Sequence, residues 1–243
     1  MKKRLVFVFF MVITIVLPCF SQASEAAEEA RTMARDFEIP TWFPNEWEAA
    51  EALYANAEYD SAADAYKTLI EQAIPLYAQA REDEIMLLRN DLIGLGARNA
   101  FPQYVLSADR AAILALDQYE EQDYYAARDS AAEALHMYQV LTSAYSAWQV
   151  RQEIRENALE VYDPDNFNLA GDTIRDAMDA YEAGDHLLAQ AKAEEALAKY
   201  QTVLSAGKRQ SAAETIRAAY RKINESSEIA RQADLRREEG GKR

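Results

Sequence analysis

Apolar residues recur along this chain at intervals of three and four over long stretches, with polar residues between them. This spacing places apolar side chains on one side of an α-helix. No stretch shows the alternating β-branched residues, bounded by turn signals, that indicate strands. After Ala23 the sequence has only seven Gly and five Pro, and the strong helix formers Ala, Glu, Leu, Gln and Arg dominate. The sequence therefore predicts an all-α protein.

One segment of this helical pattern occurs three times. "YEAGDHLLAQAKAEEAL" (181–197) aligns without gaps to "YEEQDYYAARDSAAEAL" (119–135). A more divergent copy, "YANAEYDSAADAYKTLI" (54–70), precedes both. Each copy predicts a helical hairpin in which the first helix ends at a tyrosine and a four-residue turn leads into the second. The residues expected in the hairpin cores are Tyr54, Ala62, Tyr119, Ala127, Tyr181 and Ala189.

Two of the turns have an aspartate immediately before the second helix. Asp123 and Asp185 stand where they can accept hydrogen bonds from the first free N–H groups of the second helix. Their charge also favours the positive end of that helix dipole. In the second helix, small alanines at positions i and i+7 share a stripe with Leu at i+8 and Tyr at i+11. We expect the alanines to let the two helices approach closely.

These hairpins resemble tetratricopeptide repeats, which imply stacked helical pairs that bind peptides in a concave groove. Two features depart from that family: the turn is about one residue shorter, and the period is 62–65 rather than the roughly 34 residues of the family. Each repeat must hold further helical sequence, such as 80–100 and 146–162. We therefore expect either an array like that of tetratricopeptide repeats or an elongated helical bundle. The matching residues are Trp47, Ala50, Tyr54, Tyr59 and Ala62, then Ala115, Tyr119, Tyr124 and Ala127, then Ala177, Tyr181, Gly184 and Ala189.

Proline marks the predicted boundaries between repeats, because it opens a helix without losing a hydrogen bond. Pro75 is expected to kink or interrupt the first long helix, and Ser205-Ala206-Gly207 to break the third. A stripe of apolar residues after that break predicts a closing helix that packs back on the last repeat. The predicted organisation is a charged lead-in or linker (24–39), three repeats (about 40–100, 101–162 and 163–206), a closing helix (207–237) and a frayed tail (238–243).

Residues 1–23 have the features of a secretory signal peptide. Lys2, Lys3 and Arg4 precede a run from Leu5 to Leu17 that is apolar apart from Thr14 and is shorter than a membrane span. Ser21-Gln22-Ala23 supplies the small residues of a cleavage site, so Ser24 is the expected new N-terminus. An uncleaved N-terminal anchor is the alternative to cleavage.

The single cysteine, Cys19, lies within this segment. It offers a second alternative, because lipidation of Cys19 would make the chain a membrane-anchored lipoprotein. The proline at position 18 departs from the usual lipoprotein signal. If cleavage follows Ala23, the mature chain contains no cysteine, and disulfide and thiolate chemistry are both excluded.

The net charge of the chain is −15, and it falls to −18 once the three positive charges of the signal segment are removed. Such an excess argues against nucleic acid as a partner, since proteins bind it largely by neutralising phosphates. Residues 207–243 have ten Lys/Arg and six Asp/Glu, a net of +4, whereas residues 24–206 have a net of −22. This basic segment is either a solvated helix end or a surface that docks on something acidic, including the chain's own body.

No pattern in the sequence predicts catalysis, a metal or a cofactor. Glu133 and His136 have the Glu-x-x-His spacing of a di-iron bundle, but the other histidine, His186, follows Ala183 and supplies no second half-site. Residues 163–172 superficially resemble a calcium loop, but Phe167 replaces an oxygen ligand, the turn glycine is absent and Ile174 replaces the final glutamate. The aromatics least tied to the repeat pattern, and hence candidates for an interaction surface, are Trp42, Tyr104, Tyr125 and Trp148.

Together these features predict a non-enzymatic, exported helical-repeat protein that acts as a scaffold or adaptor in the bacterial cell envelope. Its partner would be an envelope protein or peptide, with membrane contact only through the signal segment or a lipidated Cys19. Two other functions fit the same sequence: a structural spacer without a specific groove, and a small-ligand-binding accessory protein for transport. An open aromatic groove would favour the adaptor, and an apolar pocket between repeats would favour the ligand carrier.

Overall fold

The computed structural model describes residues 22–240, with side chains up to residue 233, so Cys19 and residues 1–21 of the predicted signal segment lie outside the described residues. Between residues 22 and 240 the chain forms α-helices and one 3₁₀ helix, and no strand occurs there. The all-α prediction is confirmed. The helices are α1 (22–36), α2 (Ile39–Trp42), α3 (Pro44–Ala55), α4 (Tyr59–Gly94), α5 (Ala97–Ala100), α6 (Pro102–Glu120), α7 (Tyr124–Glu156), the 3₁₀ helix Leu159–Tyr162, α8 (Pro164–Glu182) and α9 (His186–Gly240).

Three tight turns join α3 to α4, α6 to α7 and α8 to α9, and they share one backbone conformation. One residue in each turn has a positive φ: Ala57 (60°), Gln122 (65°) and Gly184 (80°). Its N–H bonds to the carbonyl three residues earlier, and the next N–H bonds to the carbonyl five residues earlier, at 2.9–3.1 Å. This is the left-handed termination common at helix ends. The spacing between these three residues is the same as the spacing between the aligned segments.

The predicted aspartate caps are present in two of these turns. Asp123 Oδ1 accepts from the N–H of Ala126 at 3.3 Å, and Asp185 Oδ1 accepts from the N–H of Leu188 at 3.1 Å. Each satisfies a backbone donor that the first turn of a helix leaves unpaired. The capping prediction is therefore confirmed for α7 and α9.

A second kind of connection also occurs three times, at 37–43, 95–101 and 157–163, which we call the connectors. Each has one residue with positive φ, at Glu38 (58°), Gly96 (95°) or Ala158 (49°), and then a short helix of four residues. A residue with φ between −130° and −154° follows, and after it the proline that opens α3, α6 or α8. Equivalent positions are buried in all three: Ile39, Ala97 and Leu159, and also Ala50, Ala108 and Ala170 six residues after the proline.

The described residues form two compact units, each with its own core. The first comprises the described residues up to Met86 together with Leu114–Ala131. Its core includes Ala27, Ala30 and Ala34 of α1, which pack with α2, α3 and α4. The segment predicted as a lead-in or linker (24–39) is thus helical up to residue 36 and packed in the core through the small side chains of α1.

The second unit comprises Leu87–Ile113 and Ala132–Arg243. In one cluster, Ala147 and Ile154 of α7 pack with Leu159 and with Phe167, Ala170, Tyr200 and Val203 of the α8–α9 hairpin. In a second, Ala144, Ala177 and Ala193 bring α7, α8 and α9 together. Of these residues the repeat pattern marks only Ala177 and Tyr200, and the others were not among the predicted core positions.

The helix α4 is not interrupted at Pro75, and α9 does not break at Ser205–Gly207. The helix α4 is continuous through Pro75, where buried residues on either side, Ala73 and Tyr77, hold it in place despite the lost backbone hydrogen bond. The helix α9 is likewise continuous through Ser205–Gly207. A Cβ on Gly207 would lie 2.7 Å from the Cβ of Leu159, so this glycine allows close packing and does not end the helix.

The closing helix predicted for 207–237 is also wrong. Because α9 does not break, it cannot reverse direction, and these residues continue it. The stripe that was expected to pack is open to solvent: Ile216, Tyr220, Ile223 and Ile229 are 56–68% exposed. Within the described part of the chain, no helix is long and apolar enough to cross a membrane.

Candidate interaction surface

The residues predicted to form the hairpin cores differ in burial. Ala62, Ala127, Ala189 and Tyr181 are buried, whereas Tyr54 and Tyr119 are only half-buried. Tyr54 and Tyr119 lie at the ends of their helices, where Tyr59 and Tyr124 cover one edge of each ring at a centroid distance of 5.4 Å. Tyr181 is covered further, because the ring of Tyr104 also packs against it at 5.5 Å.

Two of the predicted surface aromatics lie in the first compact unit. Trp42 is half-buried against the core, and its indole Nε1 is buried without a partner among the described residues. Tyr125 is 40% exposed, but its ring packs edge-on against Phe37 at 5.4 Å. Its hydroxyl donates to the sulfur of Met33 at 3.3 Å. Both side chains are thus partly used in holding α1 and α2 in place.

The other two, Tyr104 and Trp148, belong to one row of rings in the second unit. The rings follow in the order Tyr104, Phe101, Tyr145 and Trp148, with centroid distances of 5.5–6.4 Å between neighbours. The hydroxyl of Tyr104 donates to Glu182 at 2.7 Å. This row packs the second connector against its helices, so the predicted surface role of Tyr104 and Trp148 gains no support from their positions.

A different surface stands out near the middle of α9. Ile154 of α7 and Ile216 of α9 are at equivalent positions, because each follows the positive-φ residue of its own turn, Gln122 or Gly184, by the same number of residues. Ile154 is fully buried by the α8–α9 hairpin that follows it, whereas Ile216 is 56% exposed. Leu92 of α4 lies four residues before the next connector's positive-φ residue, as Ile154 does, and is also fully buried. The position that is fully buried in α4 and α7 is therefore uncovered in α9.

We call the exposed stripe of Ala212, Ile216, Tyr220 and Ile223 the end face. A groove of about 480 Å³ lies beside it. The floor of the groove is formed by Leu159, Ala212 and Ile216, and polar side chains form its rim. One rim pair is Lys208 and Glu153, which are joined by an ion pair at 2.6 Å. The remaining lining residues are Asn157, Ser211 and Thr215.

The structure also reveals polar clusters that the sequence analysis did not find. In the first, Arg31 of α1 makes two hydrogen bonds to Glu51 of α3, at 2.6 and 2.5 Å, and the hydroxyl of Tyr66 donates to Glu51 at 2.7 Å. The second cluster has the same design. Arg89 donates to Asp109 at 2.6 and 3.3 Å, and Tyr138 donates to Asp109 at 2.5 Å.

Both carboxylates in these clusters are held in the charged form. Hydrogen bonds from Arg31 lower the pKa of Glu51, against the effect of burial, and Tyr66 lowers it further. Burial alone would raise the pKa of Asp109, but Arg89 and Tyr138 outweigh it, so that the pKa lies below its usual value. Such charge-assisted, two-pronged contacts are among the stronger polar interactions in proteins.

The third position in this series lacks the acid. Arg31 and Arg89 each lie seven residues before the positive-φ residue of a connector. The residue at the same distance before the third connector is Arg151. Each acid lies seven residues after a connector proline, and the third such residue is Gly171. Tyr200, the equivalent of Tyr138, is 1% exposed, and its hydroxyl has no partner among the described residues. Its oxygen lies 3.4 Å from the position that a Cβ on Gly171 would take.

The Nδ1 atoms of His136 and His186 are buried without a hydrogen-bond partner among the described residues. His186 Nε2 lies 3.5 Å from Glu133, and its ring packs edge-on against Tyr181 at 5.3 Å. Among the described side chains, no group of three or more His, Cys, Asp or Glu is placed to hold a metal ion. The Glu133–His136 pair is therefore not joined there by further ligands.

No protein-family model matches the chain, and neither a curated protein nor a solved structure matches it. The stacking of its hairpins in the manner of tetratricopeptide repeats stays a prediction.

Proposed function

We propose that this protein is an exported, non-enzymatic helical-repeat scaffold that binds another protein of the bacterial cell envelope through the end face of α9. The observation that carries the proposal is the contrast between Ile154, fully buried, and Ile216, 56% exposed, at equivalent positions. An apolar helix position that is covered in α7 and exposed in α9 supports a docking surface for a similar element of a partner.

The structure of the covered interface indicates what such a partner presents. Ile154 is buried by Leu159 and Phe167, at the start of a hairpin, and by Tyr200 on its second helix. The partner is accordingly expected to be helical, with branched and aromatic side chains on one face. Because residues 207–243 have a net charge of +4, an acidic rim on the partner would complement the surface.

Export rests on the sequence of residues 1–23. A basic start, the apolar run from Leu5 to Leu17 and a small-residue cleavage site favour the periplasm or the cell envelope as the location. Lipidation at Cys19 would give a membrane-anchored form of the same scaffold. The groove beside the end face supports the adaptor over a featureless spacer, since a spacer needs no uncovered apolar position.

Site-specific photocrosslinking in cells of the source bacterium tests the proposal. A photoreactive residue at position 216 is expected to crosslink to one protein of defined mass in the envelope fraction. The matched control is position 187 in the same helix, where Leu187 is 68% exposed but lies outside the end face. Ile216→Asp should abolish co-purification of that protein, whereas Leu187→Asp should leave it unchanged.

Other outcomes would overturn the adaptor. A crosslinked species of twice the chain's own mass would mean that the end face pairs two copies. Equal co-purification by the Ile216→Asp and Leu187→Asp variants would mean that the end face is not used. The spacer function would then be the better explanation.

A further inference from the structure

A stripe of three residues near the end of α7 is covered by two helices at once. Ala147, Val150 and Ile154 lie 11, 8 and 4 residues before the positive-φ residue Ala158. Ala147 and Ile154 are fully buried, and Val150 is partly buried against the same core cluster. The cluster includes residues of both helices of the next hairpin: Phe167 and Ala170 of α8, and Tyr200 and Val203 of α9.

The helix α1 has the same stripe and is covered in the same way. Ala27, Ala30 and Ala34 lie at the same three distances before the positive-φ residue Glu38, and all three are buried. Their core cluster includes Ala50 of α3 together with Ala62, Ala63 and Tyr66 of α4. Both stripes are therefore packed in a core to which the two helices of a hairpin contribute.

The helix α9 has a third stripe of this kind without a hairpin. Since Ile216 is equivalent to Ile154, the other two positions of the stripe in α9 are Arg209 and Ala212. All three side chains are exposed, and a groove of about 480 Å³ lies beside Ala212 and Ile216. The helix continues to residue 240, so no hairpin follows this stripe within the described residues.

One residue of the α9 stripe differs in charge from its equivalents. Arg209 takes the place of Ala147, which is fully buried, and of Ala27. In the free chain Arg209 is exposed, and its Nε donates to the carbonyl of Ser205 at 3.2 Å. A hairpin that covers this place would bury the guanidinium, and a buried charge without a partner is costly. An acidic residue on the hairpin would remove that cost.

We propose that the partner bound at the end face presents a helical hairpin, with both helices against Arg209, Ala212 and Ile216 and a carboxylate facing Arg209. The inference rests on the adaptor function and adds the form of the partner. A different protein supplies the hairpin, because in a second copy the corresponding faces of α3–α4 and α8–α9 are already occupied by α1 and α7.

An extended chain tests the hairpin without the natural partner. Residues 220–240 are replaced by a second copy of 158–240, so that a copy of the α8–α9 hairpin follows Ile216 as the original follows Ile154. Arg209→Ala is included, because the hairpin that is copied packs against an alanine at that place.

The readout is the rate at which a maleimide labels Ile216→Cys. The chain is made from Ser24 onward, where the sequence has no other cysteine. Labelling should be fast in the unextended chain, since Ile216 is 56% exposed, and slow in the extended chain, as slow as labelling of Ile154→Cys.

A one-helix extension is the matched control. It carries only a copy of 158–182, the connector end and α8, and position 216 should then label nearly as fast as in the unextended chain. Leu187→Cys lies outside the stripe and should label equally fast in all three chains. Restoring Arg209 in the full extension should lower its melting temperature, whereas Arg209→Ala should leave that of the unextended chain unchanged.

These results separate the form of the partner from its existence. Fast labelling at position 216 in the full extension, or equal protection by the one-helix extension, would overturn the hairpin and leave the adaptor function standing. An unchanged melting temperature when Arg209 is restored would overturn the facing carboxylate.

Crosslinking in cells then examines the natural partner. Photoreactive residues at 212 and 216 should together crosslink to two helical segments of one protein that are joined by a turn. Crosslinks confined to a single helical segment would contradict the hairpin. If neither position crosslinks to any protein, the adaptor function fails, and the assignment of its partner fails with it.

Discussion

The hydroxyl of Tyr145 donates a hydrogen bond of 2.6 Å to the backbone carbonyl of Leu95, immediately before the positive-φ residue Gly96. Tyr145 is 5% exposed, so this bond satisfies a polar group in the interior. It joins α7 to the second connector at the point where the chain leaves α4.

Replacing Tyr145 with Phe removes that donor and leaves the Leu95 carbonyl without it. We expect the free energy of unfolding to fall by about 1–3 kcal/mol, the cost of an unsatisfied buried group. Chemical denaturation followed by circular dichroism measures this change. Tyr220→Phe is the control, since Tyr220 is 64% exposed and its variant should unfold like the wild type. Equal stability of the two variants would show that the Tyr145 bond contributes nothing.

Enlarging the alanine stripe of α9 should destabilise the hairpin. Ala189 is fully buried, and Leu at this position would overpack the contact, at a cost of about 1–3 kcal/mol. Ala198 lies on the exposed side of the same helix, so Ala198→Leu should change the denaturant midpoint little. Similar midpoints for both variants would mean that the α8–α9 contact is loosely packed.

Stability should decrease in acid because of Glu51 and Asp109. Their pKa values are lower in the folded chain than the roughly 4.3 and 3.9 of unfolded Glu and Asp. Their contribution is therefore fully present above those values and is lost as the pH falls through the lower pKa values of the folded state. Denaturant midpoints from pH 7 to pH 2 should fall more steeply for the wild type than for Asp109→Asn.

Asp172→Asn is the control for this pH series. Asp172 pairs with Arg175, but both side chains are mostly exposed, and such pairs contribute little. Its variant should follow the wild-type curve. If Asp109→Asn follows that curve as well, the second cluster does not stabilise the fold through its charge.

Truncation within α9 distinguishes its packed and exposed parts. A chain ending at residue 218 should keep its denaturant midpoint and lose only the helical signal of 219–240, because the stripe there is exposed. A chain ending at Ala206 also loses Gly207 against Leu159 and the 2.8 Å bond from Tyr162 to Glu214, so its midpoint should fall. Equal midpoints for the two truncations would show that residues 207–218 add nothing to stability.

The export prediction is tested at the N-terminus. Mass spectrometry of protein purified from an envelope fraction should find Ser24 as the first residue, because small residues precede it. A diacylated Cys19 at the N-terminus would show that the chain is a lipoprotein. An intact Met1 would indicate an uncleaved anchor.

The hairpin turns could be predicted because their signals are local. The tyrosine before each turn and the aspartates that cap α7 and α9 lie within a few residues of the bonds they make. The connectors were visible only through their prolines. Positive φ falls on Glu38 and Ala158 as well as on Gly96, and the two non-glycine residues give no sign of that conformation in the sequence.

The polar clusters could not be predicted from the spacing of the hairpin segments, because the clusters repeat at a different interval. The step from Arg31 to Arg89 equals the step from Glu51 to Asp109, but it is seven residues shorter than the step between the first two hairpin turns. The continuity of α9 and the exposure of its apolar stripe also depend on tertiary contacts. An apolar stripe has the same appearance in the sequence whether another helix covers it or not, and Gly207 packs closely where its residue type suggests a break.

The interval between hairpin turns exceeds the interval between polar clusters because the first helix of the hairpin differs in length. The helix α3 has 12 residues, whereas α6 and α8 have 19 each. Seven residues make almost two full turns, so a helix lengthened by that number presents nearly the same side to its neighbour. Insertions or deletions of seven residues in α6 or α8 should accordingly keep the same side of the helix buried, whereas changes of two or five would rotate the buried alanines into solvent. The tyrosine that bonds the acid has shifted by the same seven residues, because Tyr66 lies 9 residues and Tyr138 lies 16 residues after the positive-φ residue of its turn. The hairpin can thus be lengthened or shortened in steps of about 10 Å when both of its helices change together.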